Sequence, residues 1–107
     1  MIHELLGTGK GKATTGRALA ALLDMDIRKV TKQIERERRA GHPICASNDE
    51  DNPGYYLAED DRDLNKYCDQ LKSRAVELFK TRQALLKTLQ AVADKKVQEE
   101  SRQLPGE

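Results

Sequence analysis

Residues 26–40, DIRKVTKQIERERRA, decide the fold. At 100° per residue Ile27, Val30 and Ile34 fall on one side of a helix, while Arg28, Lys29, Lys32, Gln33 and Arg36 gather on the other. Asp26 is suited to cap the start, because its carboxylate accepts from the free N–H groups of the first turn. Gly41, directly after Ala40, suits a left-handed stop. The pattern predicts a capped helix with one apolar and one basic face.

Working outward, the run Gly16 to Leu23 is compact and rich in Ala and Leu. Thr14 or Thr15 can cap it; Leu19, Leu22 and Leu23 are expected to face inward, and Ala18, Ala20 and Ala21 permit a close neighbour. Asp24 occupies the turn position where Gly is more usual, and Asp tolerates the left-handed region better than most residues. Met25 is expected to point back into the core. Two helices joined by a turn of about three residues outline a helix–turn–helix.

Further upstream, Ile2, Leu5 and Leu6 predict a short helical face of at most about two turns. The glycine-rich stretch GTGKGKAT at 7–14 invites comparison with phosphate-cradling loops. No strand precedes it, its spacing before Lys12 is one residue short, and Ala13 stands where Ser or Thr would hold magnesium. It reads instead as a flexible connector that exposes Lys10 and Lys12. Downstream, His42 to Ala46 reads as a short strand, NDEDNPG as a polar connector and Tyr55 to Leu57 as the antiparallel return. The acids of that connector have a partial calcium-loop spacing, but Pro53 offers no ligand and Asp60 is short for the closing chelate, so a solvated turn is expected.

On these residues, TTGRALAALLDMDIRKVTKQIERERRAGHPI followed by GYYLA, the chain resembles the winged helix–turn–helix of the biotin-repressor type. It is similar also to small phage and prophage proteins carrying that module. The resemblance covers roughly residues 13 to 70 and implies DNA binding through the third helix, 26–40. Glu37 stands where the family usually has Leu and is expected at the edge of the core with only its stem buried. The wing tip reads Asp49-Glu50-Asp51, which a phosphate backbone repels, so this wing is not expected to enter a minor groove.

From Asp60 or Asp61 the pattern turns helical again, with acids suited to the positive end of the first turn. Leu64, Tyr67, Leu71, Ala75, Leu78, Leu85, Leu89 and Val92 form a stripe, Phe79, Leu86 and Ala93 widen it, and Arg82 interrupts it. Such a helix would be on the order of 55 Å long. Its first half can cover the hairpin and the first helix. The second half has no partner in the chain, so Leu71, Ala75, Leu78, Phe79, Leu85, Leu86, Leu89 and Val92 are expected to join copies into a homodimer or higher oligomer. The competing expectation is a helix that breaks near Lys80 or Thr81 and folds back. The organisation expected is a winged domain at 1–60, an oligomerisation helix at 61–98 and a disordered tail at 99–107; the fold class is mainly α with a small β-hairpin.

Charge and composition narrow the function. Residues 1–47 carry nine Lys and Arg against five Asp and Glu, residues 48–70 two against eight, and residues 71–107 eight against five. The net charge of +1 therefore conceals a basic, an acidic and a second basic block. With 37% hydrophobic residues, no Trp and one Phe, the core must be small and aliphatic, which argues against an enzyme-sized interior. Cys45 and Cys68 lie 23 residues apart without zinc spacing, and both are expected to pack as small apolar groups; His3 and His42 read as isolated. No catalytic group, metal or cofactor is expected. No apolar run nears the roughly 18 residues of a membrane span and no signal peptide is evident, so a cytoplasmic protein is expected. The leading expectation is a DNA-binding regulator. In it Arg28, Lys29 and Gln33 reach base edges of double-stranded DNA, Lys32 and Arg36 share that task or take phosphates, and Lys10, Lys12 and Arg17 hold the backbone. The alternatives are a protein–protein adaptor working through the C-terminal stripe, and an accessory protein binding DNA without sequence preference.

Overall fold

The computed structural model describes residues 1–102. A 3-10 turn at Ile2–Leu5 and another at Lys10–Lys12 precede helices α1 (Gly16–Leu23) and α2 (Ile27–Arg39). Strands β1 (Ile44–Ser47) and β2 (Gly54–Leu57) and a long helix α3 (Asp61–Arg102) follow. The chain divides into two compact units, Met1–Asp69 and the residues from Gln70 on. The first unit thus extends past residue 60, because Leu64 and Tyr67 of α3 pack with Cys45 and Tyr56 of the hairpin. Helix α3 reaches Arg102, so residues 99–102 are helical; the remainder of the tail expected to be disordered lies outside the described residues. Among the described residues no helix is long and apolar enough to cross a membrane.

The caps form as the residue types require. Thr15 Oγ1 accepts from Ala18 N at 3.1 Å, and Asp26 Oδ1 accepts from Arg28 N at 3.1 Å. Both helices also stop in the same way. At the end of α1, Met25 N donates to Ala20 O at 2.9 Å and Asp24 N to Ala21 O at 3.4 Å, with Asp24 left-handed at φ 51°. At the end of α2, His42 N donates to Glu37 O and Gly41 N to Arg38 O, both at 3.0 Å, with Gly41 at φ 104°. These paired bonds satisfy carbonyls that have no partner further along the helix.

The hairpin pairs Ile44 with Leu57, Cys45 with Tyr56, Ala46 with Tyr55 and Ser47 with Gly54. Since side chains alternate along a strand, its two faces enter different clusters. Ile44, Tyr55 and Leu57 join Ile2, Leu6, Leu19, Val30 and Ile34, whereas Cys45 and Tyr56 join Tyr67 and Leu64. The glycine-rich segment is not a free connector. Gly9 N donates to Leu57 O and Leu57 N to Gly7 O, each at 2.9 Å, while Thr14 and Tyr55 exchange bonds of 2.8 and 2.7 Å. Strand β2 therefore has backbone partners on both edges, with β1 on one side and residues 7–14 on the other.

Several apolar positions differ from expectation. The N-terminal segment is a single 3-10 turn in which Ile2 and Leu6 are buried and Leu5 is exposed. Leu22 is 68% exposed and Ile27 48%, because α1 and α2 meet through Leu19, Val30 and Ile34, so only the centre of each face is covered. Cys45 is buried as expected, but Cys68 is exposed on α3.

Gly54 combines a φ of 116° with close approach: a Cβ there would overlap the Thr14 carbonyl. Gly41 has a comparable φ of 104° with open space around it. Gly41→Ala should cost about 1–2 kcal/mol through conformation alone. Gly54→Ala should cost about 2–4 kcal/mol because β2 must also part from residues 14–15. Urea unfolding of both variants measures the difference.

Candidate nucleic-acid interface

Helix α2 is held by its inner side and by one edge. On the inner side Val30 and Ile34 are fully buried, and Glu37 is buried with them at 2% exposure. This corrects the expectation that only the stem of Glu37 would be covered. Its carboxylate enters the interior because four donors meet it there. Oε1 accepts from His3 N at 2.7 Å and from the His3 ring Nδ1 at 2.6 Å; Oε2 accepts from Ile2 N and from Gln33 Nε2, both at 2.9 Å. Burial alone raises the carboxyl pKa. The His3 backbone N–H, the Gln33 amide, the Ile2 N–H and the His3 ring together outweigh it and hold the group down at about 2. Neither histidine is isolated: the His42 ring stacks on that of His3 with centroids 3.6 Å apart and planes 11° from parallel.

Along the edge of α2, Arg38 ties three elements together. Its Nε donates to Ile44 O at 2.8 Å, Nη1 to Glu35 Oε1 at 2.9 Å and Nη2 to Tyr67 Oη at 2.9 Å. The guanidinium also lies over the rings of Tyr67 and Tyr55, at 5.2 and 5.9 Å from their centroids. The sequence pattern gave no notice of this role, because an arginine between two other charged residues on a polar helix reads as solvated. In the second cluster, desolvation pushes the Cys45 thiol up to about 11 and the Tyr56 hydroxyl to about 12, so both stay neutral packing groups.

The remaining side of α2 is free. Arg28, Lys29, Lys32 and Arg36 are exposed, and so is Arg39, which the sequence reading left out although the wheel sets it between Arg28 and Lys32. The five cations share an arc of about 100°. None of them pairs within 4 Å of a described carboxylate. Lys29, Lys32 and Arg36, with Gln33 and Met25, line one shallow groove. Gln33 sits at its inner border, half-buried, with its amide N–H committed to Glu37.

The other sequence-predicted cations are set on different elements. Arg17 is exposed on α1 and Lys12 in the second 3-10 turn. Lys10 pairs with Asp49 of the acidic hairpin tip. The residues expected to join copies, Leu71, Ala75, Leu78, Phe79, Leu85, Leu86, Leu89 and Val92, are all exposed on α3, which runs unbroken past Lys80 and Thr81. Searches against family models, curated proteins and solved structures found no match for this chain.

The lowered Glu37 pKa fixes a pH dependence. A carboxyl that titrates at about 2 in the folded chain, against an ordinary value of 4.5, stabilises fully above 4.5 and loses that contribution as pH falls towards 2. The loss should amount to roughly 3 kcal/mol. Glu37→Gln should be less stable at neutral pH and should lose less between pH 4.5 and 2. Chemical unfolding of the two proteins across that range, read as their difference, isolates Glu37 from the other acids.

Proposed function

We propose that this protein is a DNA-binding regulator of the phage and prophage kind, a winged helix–turn–helix that sets α2 in the major groove of duplex DNA. The observation that carries the reading is the unpaired arc of Arg28, Lys29, Lys32, Arg36 and Arg39 on a helix whose opposite side is locked into the core. A helix fixed in this way presents its cations without losing packing. A major groove is wide enough to admit it.

The roles follow from position. Arg28 and Lys29, in the first turn, reach base edges, where an arginine makes paired bonds to guanine. Gln33 has one N–H engaged by Glu37, which leaves its carbonyl oxygen and its second N–H for a base edge. Lys32, Arg36 and Arg39 share the groove walls and take phosphates, and Lys12 and Arg17 add backbone contacts. Lys10 contributes less, since its ammonium already meets Asp49. The acids of the hairpin tip keep it away from the phosphates. Copies join through the exposed apolar residues of α3, which supplies a second reading head.

A second reading, a protein–protein adaptor, draws on that same uncovered helix. The two separate by substitution. Selection from a random duplex library should return one preferred sequence. Arg28→Ala with Lys32→Ala should weaken binding to it at least tenfold without loss of fold, and the dependence of log affinity on log salt should fall by about one phosphate, that of Lys32. Leu85→Asp should leave single-site recognition intact. Equal affinity for the selected duplex and a scrambled one would overturn the regulator in favour of a non-specific accessory protein. Absence of binding at low salt would leave the adaptor.

A further inference from the structure

In α3, Leu64, Leu71, Leu78, Leu85 and Val92 recur every seventh residue as one column. Cys68, Ala75, Arg82, Leu89 and Lys96 form the column beside it. A seven-residue apolar period sustained over five repeats belongs to helices that wind round one another left-handed. In that frame the leucine column holds d positions and the arginine column a positions. From Leu71 onward both columns are exposed.

The surface fits a second copy of the chain. The exposed apolar side chains at the a, d and e positions between Leu71 and Val92 amount to an area on the order of 700 Å² on each copy, close to that of a standard stable interface. The rows flanking the seam at its centre are Thr81 and Thr88 on one side and Phe79 and Leu86, which widen it, on the other. The wheel turns Lys80, Lys87 and Asp94 to the opposite side. At the centre the flanks carry no charge by which identical copies would repel, and Lys72, Arg74 and Lys95 enter them only toward the ends.

Direction follows from the cations, since both that lie within the seam, Arg82 and Lys96, fall in the a column, while the d column is apolar from Leu64 to Val92. In a parallel, in-register pair each a residue meets its own copy, so Arg82 faces Arg82 and Lys96 faces Lys96 at short range in a partly dry seam. In an antiparallel pair a residues meet d residues. Arg82 then lies against Leu78, Leu85 or Val92 of the second copy, whichever of the central registers is taken. Its guanidinium already leans on the Phe79 ring of its own helix, 5.7 Å from the centroid. Its stem is left to cover an apolar neighbour while the charge reaches the rim.

We propose that α3 pairs antiparallel with α3 of a second copy, the Arg82 column of each packed on the leucine column of the other. By chain connectivity the two DNA-reading units then leave from opposite ends of the paired helices. The inference rests on the self-association proposed above, and its test separates the two. Sedimentation equilibrium of the full chain should give twice 12.1 kDa. Nitroxide labels on the exposed Cys68, with Cys45 buried and unlabelled, should then report a pulsed-EPR separation of roughly 35 Å or more, since the label faces residue 92 or beyond in every central antiparallel register. Leu85→Asp should abolish both the dimer mass and the distance. A dimer with labels closer than about 20 Å would overturn the antiparallel arrangement and leave self-association standing. A monomer at about 10⁻⁴ M would overturn both and leave DNA binding to its own assay.

Discussion

The Glu37 carboxylate sits among Ile2, Val30 and Ile34 with 2% of its surface exposed, where an unpaired charge would cost several kcal/mol of lost hydration. It stays ionised because four N–H groups, two of them backbone, converge on its two oxygens. The rest of the first unit depends on this arrangement. The donors come from the first three residues of the chain and from the previous turn of α2, so the same bonds that keep the charge buried dock the N-terminal turn and seat Ile2 in the core. The His42 ring, delivered by the glycine-terminated end of α2, closes over His3 from the other side. A leucine at position 37 would fill the space but would leave the Ile2 and His3 N–H groups without their acceptor.

A core this small needs such fastenings. Among the described residues nine hydrophobic side chains are buried, and six of them, Ile2, Leu6, Leu19, Val30, Ile34 and Ile44, make the principal cluster. A unit of fewer than about 70 residues buries too little surface for a wide margin, and domains of that size commonly add disulfides or metals. Here Cys45 and Cys68 are both free thiols. Polar fastenings stand in their place: Glu37 ties the N-terminus to α2, and Arg38 ties α2 to the hairpin and to α3.

The sequence made legible whatever side-chain periodicity and turn chemistry encode. Both N-caps, the left-handed Asp24, the stop at Gly41, the hairpin and the unbroken C-terminal helix were all readable from residue type and spacing. What stayed hidden depends on tertiary partners. Residues 7–14 join β2 through backbone N–H and C=O groups, which every residue carries, so no pattern of side chains announces the pairing. The burial of the Glu37 carboxylate and the role of Arg38 were not visible, because their distant partners are 29 to 35 positions away and several are backbone groups. Leu22 and Ile27 looked inward because a wheel gives direction and says nothing of how far the neighbouring helix extends. The candidate interface was read more fully: four of its five cations were singled out, and Arg39, in the last turn of α2, was left out although the wheel sets it on the same arc.

The circumference of α2 divides into three sectors, and the division explains how one helix can anchor a fold and still offer a surface. Val30, Ile34 and Glu37 occupy the first, Arg38 the second, and the five free cations the third. Consecutive residues on a helix point about 100° apart, so Glu37 and Arg38 pull on different neighbours, the N-terminal turn and the hairpin with α3. Two anchors in different directions prevent the helix from rolling about its axis, which a single apolar seam would permit. That fixes the azimuth of the cationic arc, and azimuth is what an interface reading base edges must hold constant. Gln33, on the border between the first and third sectors, is then oriented from inside by the same carboxylate that seats the chain's first residues. The buried charge and the exposed ones are parts of a single device, in which the stability of one sector sets the geometry of the other.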